Sequence, residues 1–376
     1  MSAPLVEAVI DLDALASNLA HLTRSVAPAQ LMVVVKADAY GHGSVPVARE
    51  AVARGIRSIG ALDLDTALAL RAAGVGDDVT VLAWLYPPGQ DFEPAIRARI
   101  DLGVSSVAEL DEITDAARRL SRQPGFLPPR LHLKLDTGLH RNGATAADWP
   151  ALVSAAVAAE RAGLVRTHAA WTHIAEASEE EDTRALERFL EGVAVARRLG
   201  ATVAVRHLAA SSAGLRREDV RLDLVRMGGH CWGIPSFDGV TPAQIGLTPV
   251  MTLRAQVLAV RELGEGRCAA YVSAGYGDGV PRNAAGRVAA TVHGVRHPIA
   301  RVERDHLVIE TAGAELEPGD AAVLFGPGSE GEQTVREWGD LTGTLGDEIT
   351  TRIAARVPRR YVGGSGPAAV AEAHGA

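Results

Sequence analysis

From Ala8 to about Gly233 the chain alternates short runs of Val, Ile and Leu with longer stretches rich in Ala, Leu and Arg. The apolar runs read as strands over Ala8–Leu12, Leu31–Lys36, Ser58–Leu62, Val79–Leu85, Ile100–Val104, Arg130–Leu135, Val165–His173, Val203–Leu208 and Leu222–Met227. Near-continuous apolar runs of this length belong to strands covered on both faces. Two of the intervening stretches have clear helical bounds: Asp63–Ala73, with Gly74 as its stop, and Asp182–Leu199. Repeated strand–helix units build a parallel sheet under a layer of helices, and roughly eight of them build a closed (β/α)8 barrel of the TIM type. An open doubly wound sheet is the alternative, but no GxGxxG turn follows the first strand.

After Gly233 the pattern changes. Ile234–Gly246 reads as a linker, and then come short alternating runs without long helices: MTLRAQVLAVREL, RCAAYVSAGY, RVAATVHGVRHPI, HLVIETA and AAVLFG. They indicate a smaller all-β domain. The final GGSGPAAVAEAHGA has little to bury and reads as a disordered tail. The expected division is a barrel over 1–240, a β-domain over 241–362 and a tail over 363–376.

Composition narrows the class. Of 376 residues, 47% are hydrophobic and 22% charged, which is ordinary for a globular protein, and a net charge of −8 without a basic block argues against nucleic acid as a partner. Cys231 and Cys268 stand far apart and in no CxxC pair, so neither a disulfide framework nor a metal site is expected. No secretory leader and no membrane span is read from the chain, and a cytoplasmic enzyme is the expectation.

One residue count changes the picture further. The chain has 38 Lys plus Arg but only two lysines, Lys36 and Lys134. Arginine stays protonated and is a poor nucleophile, so a surviving lysine marks a place where an amine is needed. Lys36 ends the run VVVK and opens the small, polar turn ADAYGHG. A desolvated amine at a strand end loses its proton readily and can attack a carbonyl. In a barrel, function belongs at the C-terminal ends of the strands. Reactive groups recur there: Lys36 and Tyr40; Lys134, then His140, Arg141 and Asn142; His173; Ser211 and Ser212; Arg226 with the amides of Gly228 and Gly229.

Taken together, VVVKADAYGHG, KLDTGLHRNG, TH before an acidic segment, the serine pair, VRMGGHCWG, GYGDGVPR and RVPRRY resemble the alanine racemases. These are pyridoxal-phosphate (PLP) enzymes of fold type III, and the resemblance runs from about Ala8 to Tyr361. It implies that Lys36 holds PLP covalently and moves the substrate α-proton on one face. It implies a phosphate site made by Tyr40, by Ser212 beside Ser211, and by the Gly228–Gly229 backbone. Arg226 would face the pyridine nitrogen; a cation that keeps its proton leaves that nitrogen unprotonated and weakens the ring as an electron sink. His173 would belong to the Arg226 network. Arg141 would steer the cofactor phenolate or the substrate carboxylate, locked by Lys134, which matches a lysine carbamylated in some relatives. Tyr276 and Asp305 would enter catalysis from the β-domain of the partner in a head-to-tail homodimer.

The chain departs from the family pattern in the β-domain. A loop carrying the tyrosine that serves as second catalytic base is missing from GEGRCAAYVSAGYGDG, and Tyr271 lies out of register with it. Arg304 stands in place of a Met before Asp305, Asp347 in place of a phosphate-contacting tyrosine, and Trp232 in place of a tyrosine before glycine. Arg304 and Asp347 either pair with each other or select a longer, polar substrate. Three readings follow: an amino-acid racemase whose substrate need not be alanine, a PLP enzyme working on one face only, and a PLP-binding homologue without turnover.

Overall fold

The computed structural model describes residues 4–264, 267–311 and 314–365. Most of the expected tail, from Gly366 onward, therefore lies outside the described residues. Sixteen strands are present among the described residues, the first being β1 (Val6–Asp11). The chain forms two compact units, one from residues 22–36 and 51–228, the other from the remaining segments.

The first unit is the barrel. Its strands are β2 (Gln30–Val34), β3 (Ser58–Leu62), β4 (Thr80–Ala83), β5 (Asp101–Val104), β6 (Arg130–Lys134), β7 (Arg166–Trp171), β8 (Val205–His207) and β9 (Leu224–Met227). They lie in the order β8-β7-β6-β5-β4-β3-β2-β9, with parallel pairing throughout. Two backbone bonds close the circle between β8 and β9: Asp223 N–H to Arg206 C=O and Arg226 N–H to Ala209 C=O, both 3.1 Å. Helices Leu64–Ala72, Val107–Leu120 and Glu179–Arg198 start where a side-chain oxygen of Asp63, Ser106 and Ser178 accepts an otherwise unpaired amide. Inside the barrel, Met32, Leu82 and Leu224 form a buried cluster against Trp84 and Val205. Gly103 on β5 makes room for the indole-bearing residue, since a Cβ there would lie 2.6 Å from Trp84 Cβ.

The second unit carries the antiparallel sheet. Its later strands are β10 (Met251–Gly264), β11 (Arg267–Val272), β12 (Ala289–Val292), β13 (Val295–Val302), β14 (Leu307–Glu310), β15 (Ala321–Phe325) and β16 (Arg359–Val362). The order is β11-β14-β13-β12-β15-β10-β1-β16, so β1 belongs to this sheet. It pairs antiparallel with β10 (Val9 opposite Thr252) and parallel with β16 (Ile10 opposite Tyr361). The expectation that this strand opens the barrel series is corrected. An apolar run reports that a strand is buried, not which neighbour buries it.

Residues 37–50 also belong to this unit. They begin with four consecutive residues, Ala37, Asp38, Ala39 and Tyr40, in the left-handed helical region at φ 52° to 56°. None is glycine, and each such residue costs roughly 1–2 kcal/mol. No helix among the described residues is long and apolar enough to cross a membrane.

Candidate active site

In the barrel, the strand ends gather basic groups. Lys36 follows β2, Lys134 ends β6, Arg141 follows it, His173 follows β7 and Arg226 sits within β9. His173 is the meeting point. Burial, and then the charges of Arg226, Arg141, Lys134 and Lys36, hold its imidazole down at about 2, so it is neutral. Its Nδ1 accepts a hydrogen bond from Arg226 Nη2 at 3.0 Å, which leaves its proton on Nε2.

Arg226 is 5% exposed. It donates to His207 Nδ1 (3.0 Å), to the carbonyls of Thr172 (2.9 Å) and Leu208 (3.0 Å), and to His173. Burial and the neighbouring Arg141 lower its pKa to about 9, which still leaves a cation at neutral pH. Its guanidinium lies over the Trp171 ring at 5.1 Å, and Lys134 Nζ over the same ring at 4.3 Å. Lys134 is buried, and burial followed by Arg226 and Arg141 brings its pKa down to about 7. Its amine bonds to Asn142 Oδ1. The expected lock on Arg141 is not formed by the unmodified lysine: Arg141 is exposed and, among the described residues, makes no ion pair.

At the neighbouring strand ends, Ser211 and Ser212 begin the short helix Ser211–Arg216, and Ser211 Oγ accepts the Gly228 amide at 3.3 Å. Sequence reasoning overlooked Glu176, whose carboxylate takes the Ala213 amide of the same helix at 2.9 Å. It also overlooked Trp171, His207, His132 and Asp101. For Trp171 a signal was available, since WTH places it two residues before His173.

In the other unit, the left-handed turn presents Tyr40. Burial, then the charge of Asp347, raises the pKa of its phenol, so it keeps its proton. The ring lies 6.4 Å from Trp232, and the buried His42 stacks on the same indole at 5.3 Å. The turn is held from outside. Arg359 donates to the carbonyls of Gly41, Ala354, Val357 and Ile353, and Tyr361 Oη donates to His42 C=O. At Gly41 (φ +82°) a Cβ would fall 2.2 Å from Thr350 O. Gly229 opens the 3-10 turn Gly229–Trp232.

Tyr276 is 40% exposed, and its hydroxyl accepts from Arg304 Nε at 3.3 Å. Asp305 is exposed and bonds to His306 Nδ1 at 2.8 Å. Among the described residues no ion pair joins Arg304 to Asp347. Gly264 of β10 stands opposite Arg267 of β11, so two residues separate the paired strands where the base-bearing loop was expected. Tyr271 lies within β11 and packs against His306.

The fit to PLP rests on charge. Lys36, Lys134, Arg141 and Arg226 all act on the neutral His173, and basic groups gathered in this way, Lys134 and Arg226 buried, suit an anion. Among the described residues, Arg226 Nε also donates to no protein acceptor. The ring end of the cofactor therefore fits these residues.

A parallel barrel presenting an amine and clustered cations at its strand ends defines an enzyme of amine–carbonyl chemistry on an anionic cofactor. The comparisons make this specific. Residues 10–235 match the family described as "Alanine racemase, N-terminal domain" and residues 264–361 that described as "Alanine racemase, C-terminal domain". The alanine racemase of Thermobifida fusca is 43% identical over 375 residues, covering 95% of this chain and 98% of that protein. The solved alanine racemase of Streptomyces lavendulae is 39% identical at a TM-score of 0.92, covering 97% of this chain and 99% of that one. That of Streptomyces coelicolor is 41% identical at a TM-score of 0.90, covering 95% and 98%. The chain belongs to the alanine racemase family, and it is a PLP-dependent racemase with that family's barrel and β-domain.

Proposed function

We propose that the chain interconverts the L and D forms of amino acids, alanine among them, with Lys36 as the residue that holds PLP and exchanges the α-proton on one face. The observation that carries this reading is the buried Arg226 held to the neutral His173 at 3.0 Å, with Lys36, Lys134 and Arg141 at or after the neighbouring strand ends. When bound, PLP supplies an electron sink that acidifies the α-proton. Lys36 binds the cofactor and takes or returns that proton. Arg226 and His173 hold the ring, Arg226 by its cation and His173 by a neutral imidazole fixed against it. Arg141 binds a carboxylate or phenolate. A carbamate on Lys134 would give Arg141 the anion it lacks, and an amine near pKa 7 is nucleophilic enough to take up CO2. Tyr40, Ser211, Ser212, Gly228 and Gly229 would hold the phosphate by hydroxyl and N–H donors.

The second face is the weak point. With β10 and β11 joined by a short hairpin, the opposite proton transfer falls to Tyr276, to Asp305 or to water. We infer a head-to-tail homodimer in which those residues, with Arg304, serve the partner's site; their exposure supports this. The free thiols of Cys231 and Cys268 suit a reducing compartment such as the cytoplasm. The hairpin also favours a second reading, one-faced chemistry on a longer polar amine contacting Arg304 or Asp347.

Incubation with single L-amino acids (alanine, serine, ornithine, lysine, glutamate) in deuterated water separates the readings. Racemisation puts α-deuterium in both enantiomers, one-faced chemistry in one, and binding without turnover in neither. We expect both enantiomers of alanine to be labelled, at a rate about 10²–10⁴-fold below an enzyme with two positioned bases, and no label with Lys36→Ala. Label in a single enantiomer would overturn the racemase reading for this chain.

A further inference from the structure

A line of buried hydrogen bonds runs from Arg226 through the barrel. Arg226 Nη1 meets His207 Nδ1 at 3.0 Å, His207 Nε2 meets His132 Nδ1 at 3.0 Å, and His132 Nε2 meets Asp101 Oδ2 at 3.1 Å. Asp101 Oδ1 accepts from Arg130 Nε at 2.8 Å. Asp101 and His132 are 2% exposed and His207 0%. Asp101 is the first residue of β5 and Arg130 the first of β6, so the line ends opposite the strand C-termini that carry Lys36 and His173.

The protons on this line can be placed. A guanidinium only donates, so His207 Nδ1 accepts and must be bare. A neutral imidazole then carries its proton on Nε2, which donates to His132 Nδ1. His132 Nδ1 is bare in turn, its proton is on Nε2, and that proton is donated to the Asp101 carboxylate. The reverse direction would strip both nitrogens of His207. Burial raises the Asp101 pKa, but the bonds from His132 and Arg130 outweigh it and hold the group below the usual carboxylate range, so the acceptor end stays charged.

We propose that Asp101, His132 and His207 are positioning residues, a one-way relay through which a carboxylate at the far end of the barrel orients and neutralises the Arg226 guanidinium. A buried cation is costly without an anion, and a polarised chain of bonds carries part of that compensation over a distance no ion pair spans. The effect on catalysis rests on Arg226 facing the cofactor ring, as in the proposed function; the relay itself does not.

Asp101→Asn is the direct test, because Arg130 only donates and so takes the amide oxygen, which turns the NH2 toward His132 and reverses its tautomer. Nitrogen-15 NMR of histidine-labelled protein reads the tautomers without reference to activity. The relay requires His132 and His207 to be protonated at Nε2 in the wild type and at least one of them to change in Asp101→Asn. The visible band of bound PLP should shift in the same variant, and kcat should fall about 10–100-fold, the usual effect of removing an outer orienting partner. Arg130→Met, which removes the ion pair and leaves the relay, should keep both tautomers. If Asp101→Asn does not fold, His132→Gln and His132→Leu replace it: glutamine can accept from His207 and donate to Asp101, so it should hold the band near its wild-type position, whereas leucine should not. Unchanged tautomers and an unmoved band in Asp101→Asn, or equal effects of Gln and Leu, overturn the relay while leaving the proposed function standing. Expected tautomers with no PLP band would do the reverse.

Discussion

A buried amine that also feels two guanidinium groups gives up its proton early, and Lys134 shows what that does to stability. Its pKa falls from 10.5 to about 7 on folding. Above pH 10.5 both states are neutral there. As pH falls toward 7 the unfolded chain binds the proton and the folded one does not, so the folded state loses ground; below about 7 the penalty is constant. Lys134→Met should therefore be stabilising relative to the wild type, with a gap that grows from pH 10 to pH 7 and then levels, reaching on the order of a few kcal/mol. Denaturant midpoints across that range in CO2-free buffer check it, and a gap independent of pH would refute the depressed amine. Bicarbonate should narrow the gap if the amine is carbamylated.

The left-handed turn after Lys36 stores strain within one short element. Ala37 is exposed, and its Cβ opposes the conformation it adopts. Ala37→Gly removes a cost of roughly 1–2 kcal/mol but frees the unfolded chain by roughly 0.4–1 kcal/mol. The variant should be more stable by up to about 1.6 kcal/mol in urea unfolding; a loss of about 1 kcal/mol, as expected in an ordinary helix, would show that the turn is not strained. Nothing in ADAY announces this conformation, because the usual marker of positive φ is glycine, and here the constraint comes from Arg359 and Tyr361, over three hundred residues away in sequence. The strand–helix alternation was legible because burial leaves a periodic trace. Lys36, Lys134, His173 and Arg226 were legible because each closes an apolar run with a group that burial alone does not explain. His132, His207 and Asp101 were hidden: a polar residue inside or at the mouth of a strand looks the same whether it is solvated or wired to its neighbours.

For the whole molecule, the proposed homodimer makes a quantitative prediction. A Lys36→Ala chain lacks the amine, and an Arg304→Ala, Asp305→Ala chain lacks what the β-domain would lend its partner. Each alone should be inactive or nearly so. Randomly mixed, they should recover about a quarter of wild-type activity, since half the dimers are hybrids and each hybrid has one intact site of two. No recovery on mixing, or full activity of a dilute monomer, would refute shared sites.

The placement of β1 between β10 and β16 has a consequence for how the protein is made. Synthesis delivers Val6–Asp11 first, yet neither of its neighbours exists until Met251 and then Arg359 have been added. At roughly 5–20 residues per second, the first strand leaves the ribosome on the order of ten to fifty seconds before its first partner. All eight barrel strands emerge in that interval. A strand made ahead of the whole barrel is thus among the last to find its place, an apolar segment with two open edges held in waiting while its partners are translated.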